Sequence, residues 1–352
     1  DHVMDADLLV KAFIALAPVV LLLVIFDRLD TFNLISAREI AFLLLAGGAL
    51  AALSFFANWR VMDGFPIGFS AYSRYVAPVI EESLKAAPLI FLFAQNRIGF
   101  KVDAAIAGFA VGAGFSVIEN IWYLFTITDA NVSAWLVRGF GTAIMHGGAT
   151  AIFAIISHEM TERQAEGSAA HYRFNALLFV PGLLAAIAVH SLFNHFPHQP
   201  LVIMALTLLL APATIFLALI RSDRATQEWL AADRAAHELL LAEIRAGHFA
   251  ETPRGQAINA IAAKLGEKAQ DARAYVELKT ELILRAEELI HAAQSGQATA
   301  LTAEDKIKFA KLESLELTLG KTTLAALAAP LGFTRNDLWE LSRLHARVRG
   351  DA

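Results

Sequence analysis

The chain has 352 residues, of which 57% are hydrophobic, and its mean hydropathy is +0.52. Apolar residues make up about half of an ordinary soluble domain, so this composition excludes that class. The formal net charge of −5 is too weak to indicate a nucleic-acid partner, and the absence of cysteine excludes disulfides, cysteine metal sites and a cysteine nucleophile.

Long apolar runs fill the chain as far as residue 220. Seven of them approach the ~20 residues that a helix needs to cross a bilayer: 7–26, 40–57, 75–94, 102–125, 135–157, 174–195 and 200–220. From Arg221 onward the sequence is charged and rich in Ala and Leu, and no run is long enough to span. We therefore predict an all-α protein: a polytopic transmembrane helical bundle of about seven spans over residues 4–220, followed by a soluble helical domain over residues 221–352.

The connectors between these segments differ in basic charge. Those on one side of the predicted membrane carry Arg28, Arg38, Arg97, Lys101, Arg163, Arg173, Arg221 and Arg224. Those on the other side carry Arg60 and Arg74, both within 58–74, which we interpret as an interfacial loop because it is rich in Gly, Pro and aromatic residues. The positive-inside rule then predicts an outside N-terminus and a cytoplasmic C-terminal domain.

Ionisable residues interrupt the third segment. On a helix, Lys85 lies one turn from both Glu81 and Glu82. Charge at membrane depth is costly and usually faces a bundle interior or a water-filled cavity. A structural ion pair between helices is one interpretation. A functional site is favoured because one lysine neutralises only one of the two carboxylates.

Further polar residues occur in the next spans: Glu119 and Asn120 in the fourth, His146 in the fifth, and His190, Asn194 and His195 in the sixth. The fourth also carries Gly108 and Gly112, whose spacing predicts a close helix-packing face. At ~1.5 Å per residue, the Glu pair, Glu119 and His190 lie roughly 8–10 Å below the outer ends of their helices. His146 lies somewhat deeper, nearer the midplane. A lone intramembrane His is usually a packing residue, but polar groups from four helices in the outer half of the bilayer predict one cluster.

The cluster contains the groups that hydrolysis needs. A buried carboxylate can act as general base on water, and His or Asn can donate to a developing oxyanion. Alternatively, His146, His190 and Glu119 would bind one zinc ion in a His2Glu pattern, which leaves Glu81 or Glu82 as the base. The residues leave both chemistries open, because no H-E-x-x-H motif is present.

Four motifs follow one another in the predicted spans: Glu81-Glu82-x-x-Lys85, Phe115-x-x-x-Glu119-Asn120, His146 and His190-x-x-x-Asn194. Together they resemble the PrsW family of intramembrane proteases, which is similar to the CAAX-prenyl endopeptidase and bacteriocin-immunity protease group. The resemblance covers about residues 75–195. It implies a catalytic set and a supporting set: Glu81, Glu82, Glu119, His146 and His190, supported by Lys85, Asn120 and Asn194.

The resemblance also implies an activity and a location. The activity is endoproteolysis of membrane-anchored proteins near the extracytoplasmic leaflet, for which the best-known role is site-1 cleavage of an anti-sigma factor, and the location is a bacterial inner membrane. Members are usually classed as metallopeptidases, whereas the related prenyl endopeptidases look metal-independent, so zinc stays open. The lipid bilayer and a membrane-anchored substrate are the expected partners, and a homo-oligomer is left open.

The main alternative is a proton- or ion-coupled transporter, since intramembrane Glu, His and Lys residues also form ion pathways. A transporter is expected to place polar groups in both leaflets or to contain inverted repeats, and we find neither pattern. A retinal-binding receptor would need a lysine in the last span, and residues 200–220 contain none.

The C-terminal part predicts five helices, over about 223–247, 256–265, 267–294, 302–319 and 334–347. Two capping patterns open the last two of them, Thr302-x-x-Asp305 and Thr334-x-x-Asp337. Acids and bases alternate along these helices, which is typical of solvated faces. No metal-binding motif is recognised there, and a bundle with a stabilising or oligomerising role is predicted.

Overall fold

The structure, a computed structural model, describes residues 36–126, 135–166, 174–195, 199–294 and 301–349, with isolated positions between 9 and 24. Within these residues the regular elements are helices and no strand occurs, which confirms the all-α prediction. The long helices are α1 Ala37–Gly64, α2 Ala77–Ala94, α3 Lys101–Thr126, α4 Ala143–Glu166, α5 Val180–Asn194, α6 Pro200–Ala246, α7 Pro253–Ala263, α8 Ala269–Gln294, α9 Ala303–Leu331 and α10 Arg335–Arg349. The short helical turns are Phe69–Ala71, Tyr72–Val76, Val137–Thr142, Ala176–Phe179, His248–Glu251 and Gly266–Lys268.

Two compact units make up the chain. One comprises Asp1–Thr161 with Phe174–Ser222, and the other comprises Glu162–Arg173 with Asp223–Ala352. Helix α6 is a single helix of 47 residues that continues from the first unit into the second. The predicted division between 220 and 221 therefore falls inside a helix rather than in a linker.

Among the described residues, five helical stretches are long and apolar enough to cross a membrane: Ala37–Gly64, Lys101–Thr126, Val137–Gln164, Ala176–Asn194 and Leu201–Ala218. Helix α2 has the required 18 residues but carries three charged side chains. The predicted first span, 7–26, lies largely outside the described residues. The chain is a polytopic helical membrane protein, and the total of seven spans stays a prediction.

The prediction of an interfacial loop over 58–74 is wrong for most of its length. Helix α1 begins at a capping box on Ser36 and continues to Gly64, seven residues beyond the predicted end of its span. No Gly or Pro interrupts the helix between residue 58 and Gly64, so its hydrogen bonding continues. Only residues 65–68 separate α1 from the helical turn that begins at Phe69.

Glycines let α3 pack directly against α1 and α4. A Cβ atom on Gly47 of α1 would lie 2.0 Å from the carbonyl oxygen of Val111, and one on Gly112 would lie 2.3 Å from that of His146. A Cβ on Gly108 would lie 2.6 Å from the carbonyl oxygen of Thr150. These contacts confirm the predicted packing face, and they fix His146 against the side of α3 that also carries the polar residues.

Helices α7 to α10 enclose a separate apolar core. Its most buried members include Ala262, Ala272, Leu282, Ile283, Ala286, Phe309 and Leu327. Both predicted capping patterns form, with Asp305 and Asp337 each accepting a bond from the backbone of the threonine three residues earlier. Helix α9 is kinked at Gly320, where φ is +74°, next to its predicted end at residue 319.

Candidate active site

The Glu-Glu-x-x-Lys motif occupies the first turns of α2. Lys85 is fully buried, and its Nζ donates to Oε1 of Glu82 across 2.6 Å. The same Nζ lies 2.9 Å from Nδ1 of His146 and 4.8 Å from the ring centre of Phe115. The predicted helical ion pair therefore forms with Glu82, and it also connects α2 to α4.

His190 of α5 is held by the same carboxylate. Its Nδ1 lies 2.7 Å from Oε1 of Glu82, which as a carboxylate can only accept, so Nδ1 carries the proton. In the neutral ring the lone pair is then on Nε2, which lies 4.0 Å from Oε2 of Glu81. The Glu82–Lys85 pair thereby fixes the tautomer of His190 and directs its free nitrogen at Glu81.

Glu81 has a different environment from its neighbour. Its Oε1 accepts from Nδ2 of Asn58, whose own Oδ1 accepts from the hydroxyl of Tyr72 at 2.7 Å. Within 4 Å, the described residues supply one basic group to Glu81, the imidazole of His190. Glu82 is neutralised by a buried lysine, whereas Glu81 keeps an oxygen directed at the imidazole, so the two carboxylates have different partners.

His146 joins this group to α3. Because the ammonium of Lys85 can only donate, Nδ1 of His146 accepts, and Nε2 donates to Oε2 of Glu119 across 3.2 Å. The rings of His146 and His190 meet edge to face with centres 4.8 Å apart. The five residues predicted as catalytic therefore form one contiguous cluster.

Arg138, in the turn before α4, completes the α3 side of the cluster. Its Nη2 lies 3.2 Å from Oε2 of Glu119, and its Nε donates to Oδ1 of Asn120 at 3.1 Å. The guanidinium also stacks over the ring of Tyr123 at 3.8 Å. Asn120, predicted as a supporting residue, thus acts on the cluster by positioning Arg138.

Asn194, also predicted as supporting, has a different role in this structure. Its Nδ2 donates to the carbonyl oxygen of Ser73 at 2.8 Å, and Ser191 donates to that of Arg74 at 2.7 Å. Both bonds attach the end of α5 to the Tyr72–Val76 turn that precedes α2. Asn194 therefore helps to set the position of His190 relative to the Glu pair.

Three cluster residues were not identified from the sequence: Asn58, Tyr72 and Arg138. Asn58 and Tyr72 were assigned to a loop, and Arg138 lies near the end of a span, where a basic residue usually reaches the interface. The available signal for Asn58 was the absence of Gly and Pro between it and Gly64, which allows α1 to extend through this residue. No sequence pattern pairs Arg138 with Glu119.

The cluster lies at one end of the bundle. Glu81 and His146 belong to the first turns of α2 and α4, whereas Glu119 and His190 belong to the last turns of α3 and α5. Alternate helices run in opposite directions across a bilayer, so these positions share one side of the membrane. Residue counting predicted this grouping at one end, and the depth of the cluster in the membrane stays a prediction.

One group of side chains within the cluster suits a metal ion. Glu81, His146 and His190 each offer one ligand atom, and these atoms lie within 4.8 Å of one another. The sequence had placed Glu119 in this set, but in the structure Glu119 pairs with Arg138 and His146. Two imidazole nitrogens and one carboxylate match the donor set of many catalytic zinc sites.

Comparison with known proteins identifies the same region. A family model described as PrsW family intramembrane metalloprotease matches residues 36–220, a stretch that contains every residue of the cluster. Neither a curated protein nor a solved structure gave a significant match. The match covers more than half of the chain, and it favours a peptidase over the transporter alternative. This chain therefore belongs to the PrsW family of intramembrane proteases and is a peptidase that acts on membrane-embedded protein substrates.

Proposed function

We propose that the chain is a metal-dependent endopeptidase that cleaves membrane-anchored proteins near the extracytoplasmic side of a bacterial inner membrane. The proposed core of its active site is Glu81, His146 and His190. The observation that carries the proposal is their convergence within 4.8 Å, from three helices, in a buried site.

The donor chemistry favours zinc as the metal. A His2Glu set leaves one coordination position open for water, and a zinc ion bound there would supply a water molecule of low pKa. The chain supplies orientation: Glu82 holds the Nδ1 proton of His190, as carboxylates do for metal-binding histidines. Lys85 in turn fixes Glu82 through a buried ion pair.

His146 can bind a metal ion only through a nitrogen that gives up its present partner. Both of its ring nitrogens have partners, Lys85 at Nδ1 and Glu119 at Nε2. A metal ion that binds either nitrogen must displace the partner there. The Lys85 contact favours a second mechanism, without metal, in which Glu81 is the general base on water and His146 stays bound to Lys85.

Arg138 is proposed to stabilise negative charge that develops on the substrate. Its side chain is 21% exposed, whereas that of Lys85 is 0% exposed. Part of the Arg138 side chain is therefore open to a substrate, whereas Lys85 is not. Preorganised donors at a developing oxyanion typically contribute about 100- to 1,000-fold to the rate, and Glu119 and Asn120 hold Arg138 in place for this role.

The proposed orientation places the cluster on the outer side of the membrane. The basic connectors predict that the N-terminus is outside and the C-terminal domain is cytoplasmic. Substrate then enters laterally between helices, because the cluster is buried inside the bundle. Site-1 cleavage of an anti-sigma factor is one role compatible with this location, and no described residue bears on oligomeric state.

Orientation has a direct test, because the chain contains no cysteine. A Gly68→Cys variant places a thiol between α1 and the following turn, where an added Cβ meets no atom within 4 Å. A membrane-impermeant maleimide should label it from outside intact spheroplasts. Labelling that requires membrane rupture would contradict the proposed orientation.

Activity is tested with a membrane-anchored reporter in proteoliposomes. We expect Glu81→Gln and His190→Ala to abolish cleavage while insertion and helix content stay normal. His195→Ala is the matched control, because His195 lies on the same helix end and contacts Ser191 and Tyr75. Normal turnover in both active-site variants would refute the proposal.

A further inference from the structure

A second group of ionisable side chains converges in the C-terminal unit, where the sequence predicted solvated faces. Asp233 and His237 lie one turn apart on α6, Glu287 lies on α8, and Asp337 lies near the start of α10. One ligand atom from each of these four residues lies within 4.8 Å of the others. His237, Glu287 and Asp337 are buried, so the solvated-face prediction is wrong at these positions.

His237 lies between two of the carboxylates. Its Nδ1 is 2.6 Å from Oε1 of Glu287, and its Nε2 is 3.5 Å from Oδ2 of Asp337. The same Oδ2 accepts a bond from the backbone nitrogen of Thr334 at the start of α10. One imidazolium can offset at most one negative charge, so this group carries excess carboxylate.

Glu340 adds a further buried carboxyl group one turn along α10. It is 2% exposed, and within the part of the chain that the structure describes neither of its oxygens has a hydrogen-bond partner. Oε2 of Glu287 is likewise buried without a partner there. Unpaired buried charge is strongly unfavourable, so these oxygens require either protons or a cation.

The pKa values of two cluster residues reflect the same excess of carboxylate groups. Burial, together with the charges of Glu287 and Asp337, raises the pKa of Glu340 to about 9. Burial and the adjacent Asp337 raise the pKa of Asp233 to about 7. A divalent cation would offset the carboxylate repulsion that adds to burial in both shifts.

We propose that Asp233, His237, Glu287, Asp337 and Glu340 form a second divalent metal site, separate from the peptidase cluster. Inward-facing carboxylates and a histidine on several helices are the usual construction of metal sites in helical bundles. A mixed set of carboxylates and one imidazole suits Mn²⁺, Fe²⁺ or Zn²⁺. Metal here would join α6, which continues from a predicted membrane span, to α8 and α10.

The test uses the full-length chain in detergent, in a His190→Ala background that removes the proposed peptidase metal. After chelation and dialysis, Mn²⁺ is titrated and free Mn²⁺ is followed by electron paramagnetic resonance. We expect about one equivalent to bind, and His237→Ala or Glu340→Gln to weaken binding at least about tenfold. His248→Ala and Glu304→Gln, at exposed positions of the same domain, should leave it unchanged.

Stability provides a second readout, which guards against variants that fail to fold. Glu340→Gln keeps the shape of the side chain and leaves no carboxyl group buried at that position, so metal-free protein should unfold at no lower a temperature than its parent. At the same concentration, Mn²⁺ should raise the unfolding temperature of the parent more than that of this variant. A parent chain that binds no Mn²⁺, or variants that bind it as tightly as the parent does, would overturn the proposal whether or not the peptidase proposal holds.

Discussion

The two adjacent glutamates of α2 should differ in how strongly the same substitution destabilises the protein. Glu82→Gln removes the counter-ion of Lys85, whose ammonium is fully buried 2.6 Å away. Breaking a buried pair on one side typically costs about 3–5 kcal/mol, because the remaining charge is uncompensated. Glu81→Gln removes no such partner, and its amide oxygen can still accept from Asn58, so we expect a change in the free energy of unfolding of about 1 kcal/mol or less.

Both variants are expected to lose cleavage, so stability is the measurement that separates them. Unfolding in mixed detergent micelles would be compared for wild type, the two single variants and the double variant Glu82→Gln/Lys85→Met. The double variant contains no unpaired charge, and we expect it to recover most of the stability that Glu82→Gln loses. Equal stability of the two single variants, or no recovery in the double variant, would refute the different roles assigned to Glu81 and Glu82.

Two further substitutions test how the cluster is held. Gly112→Ala should lower both stability and cleavage, because its Cβ would lie 2.3 Å from the carbonyl oxygen of His146, whereas Gly64→Ala meets no atom within 4 Å and serves as the control. Unfolding and reporter cleavage measure both effects, and a harmless Gly112→Ala would contradict the close packing. Arg138→Met should lower kcat by about 100-fold or more if Arg138 stabilises the oxyanion, and a change confined to KM would instead indicate a role in substrate binding.

The helical architecture and one packing face were predictable, because they depend on local sequence. Apolar runs identify the spans, because backbone polar groups in lipid must be hydrogen-bonded internally and a helix achieves this. The Gly108–Gly112 spacing identifies where two helices approach closely. The end of α1 was misplaced because aromatic and charged residues after residue 57 resemble an interface, although nothing there stops a helix. Composition indicates the solvent that a segment prefers, whereas Gly and Pro determine where a helix ends.

The grouping of the five catalytic candidates was predictable, but the connections within the cluster and its members Asn58, Tyr72 and Arg138 were not. Counting residues along spans places Glu81, Glu119 and His190 at similar depth, because helical rise is constant. Which carboxylate pairs with Lys85, and which faces His190, depends on how each helix is rotated about its own axis. Irregular helical turns precede both α2 and α4, and they have no sequence signature here.

The buried cluster around His237 was missed for a related reason. Alternating acids and bases are normally solvated, and the sequence gives no sign that α6, α8 and α10 direct theirs toward one another. The i,i+4 spacing of Asp233 and His237 was the available signal, and it is common on exposed helices. Only the packing of three helices distinguishes a metal-binding group from a solvated face.

The most direct test of the central claim is the metal content of the purified chain, measured by elemental analysis on wild type, Glu81→Gln, His190→Ala and His195→Ala. If Glu81, His146 and His190 hold a catalytic metal, wild type and His195→Ala should each carry about one equivalent more than the other two variants. Chelation should stop cleavage, and added zinc should restore it. Equal metal content in all four proteins, with cleavage by wild type that chelators do not affect, would contradict the metal site and leave Glu81 as the general base.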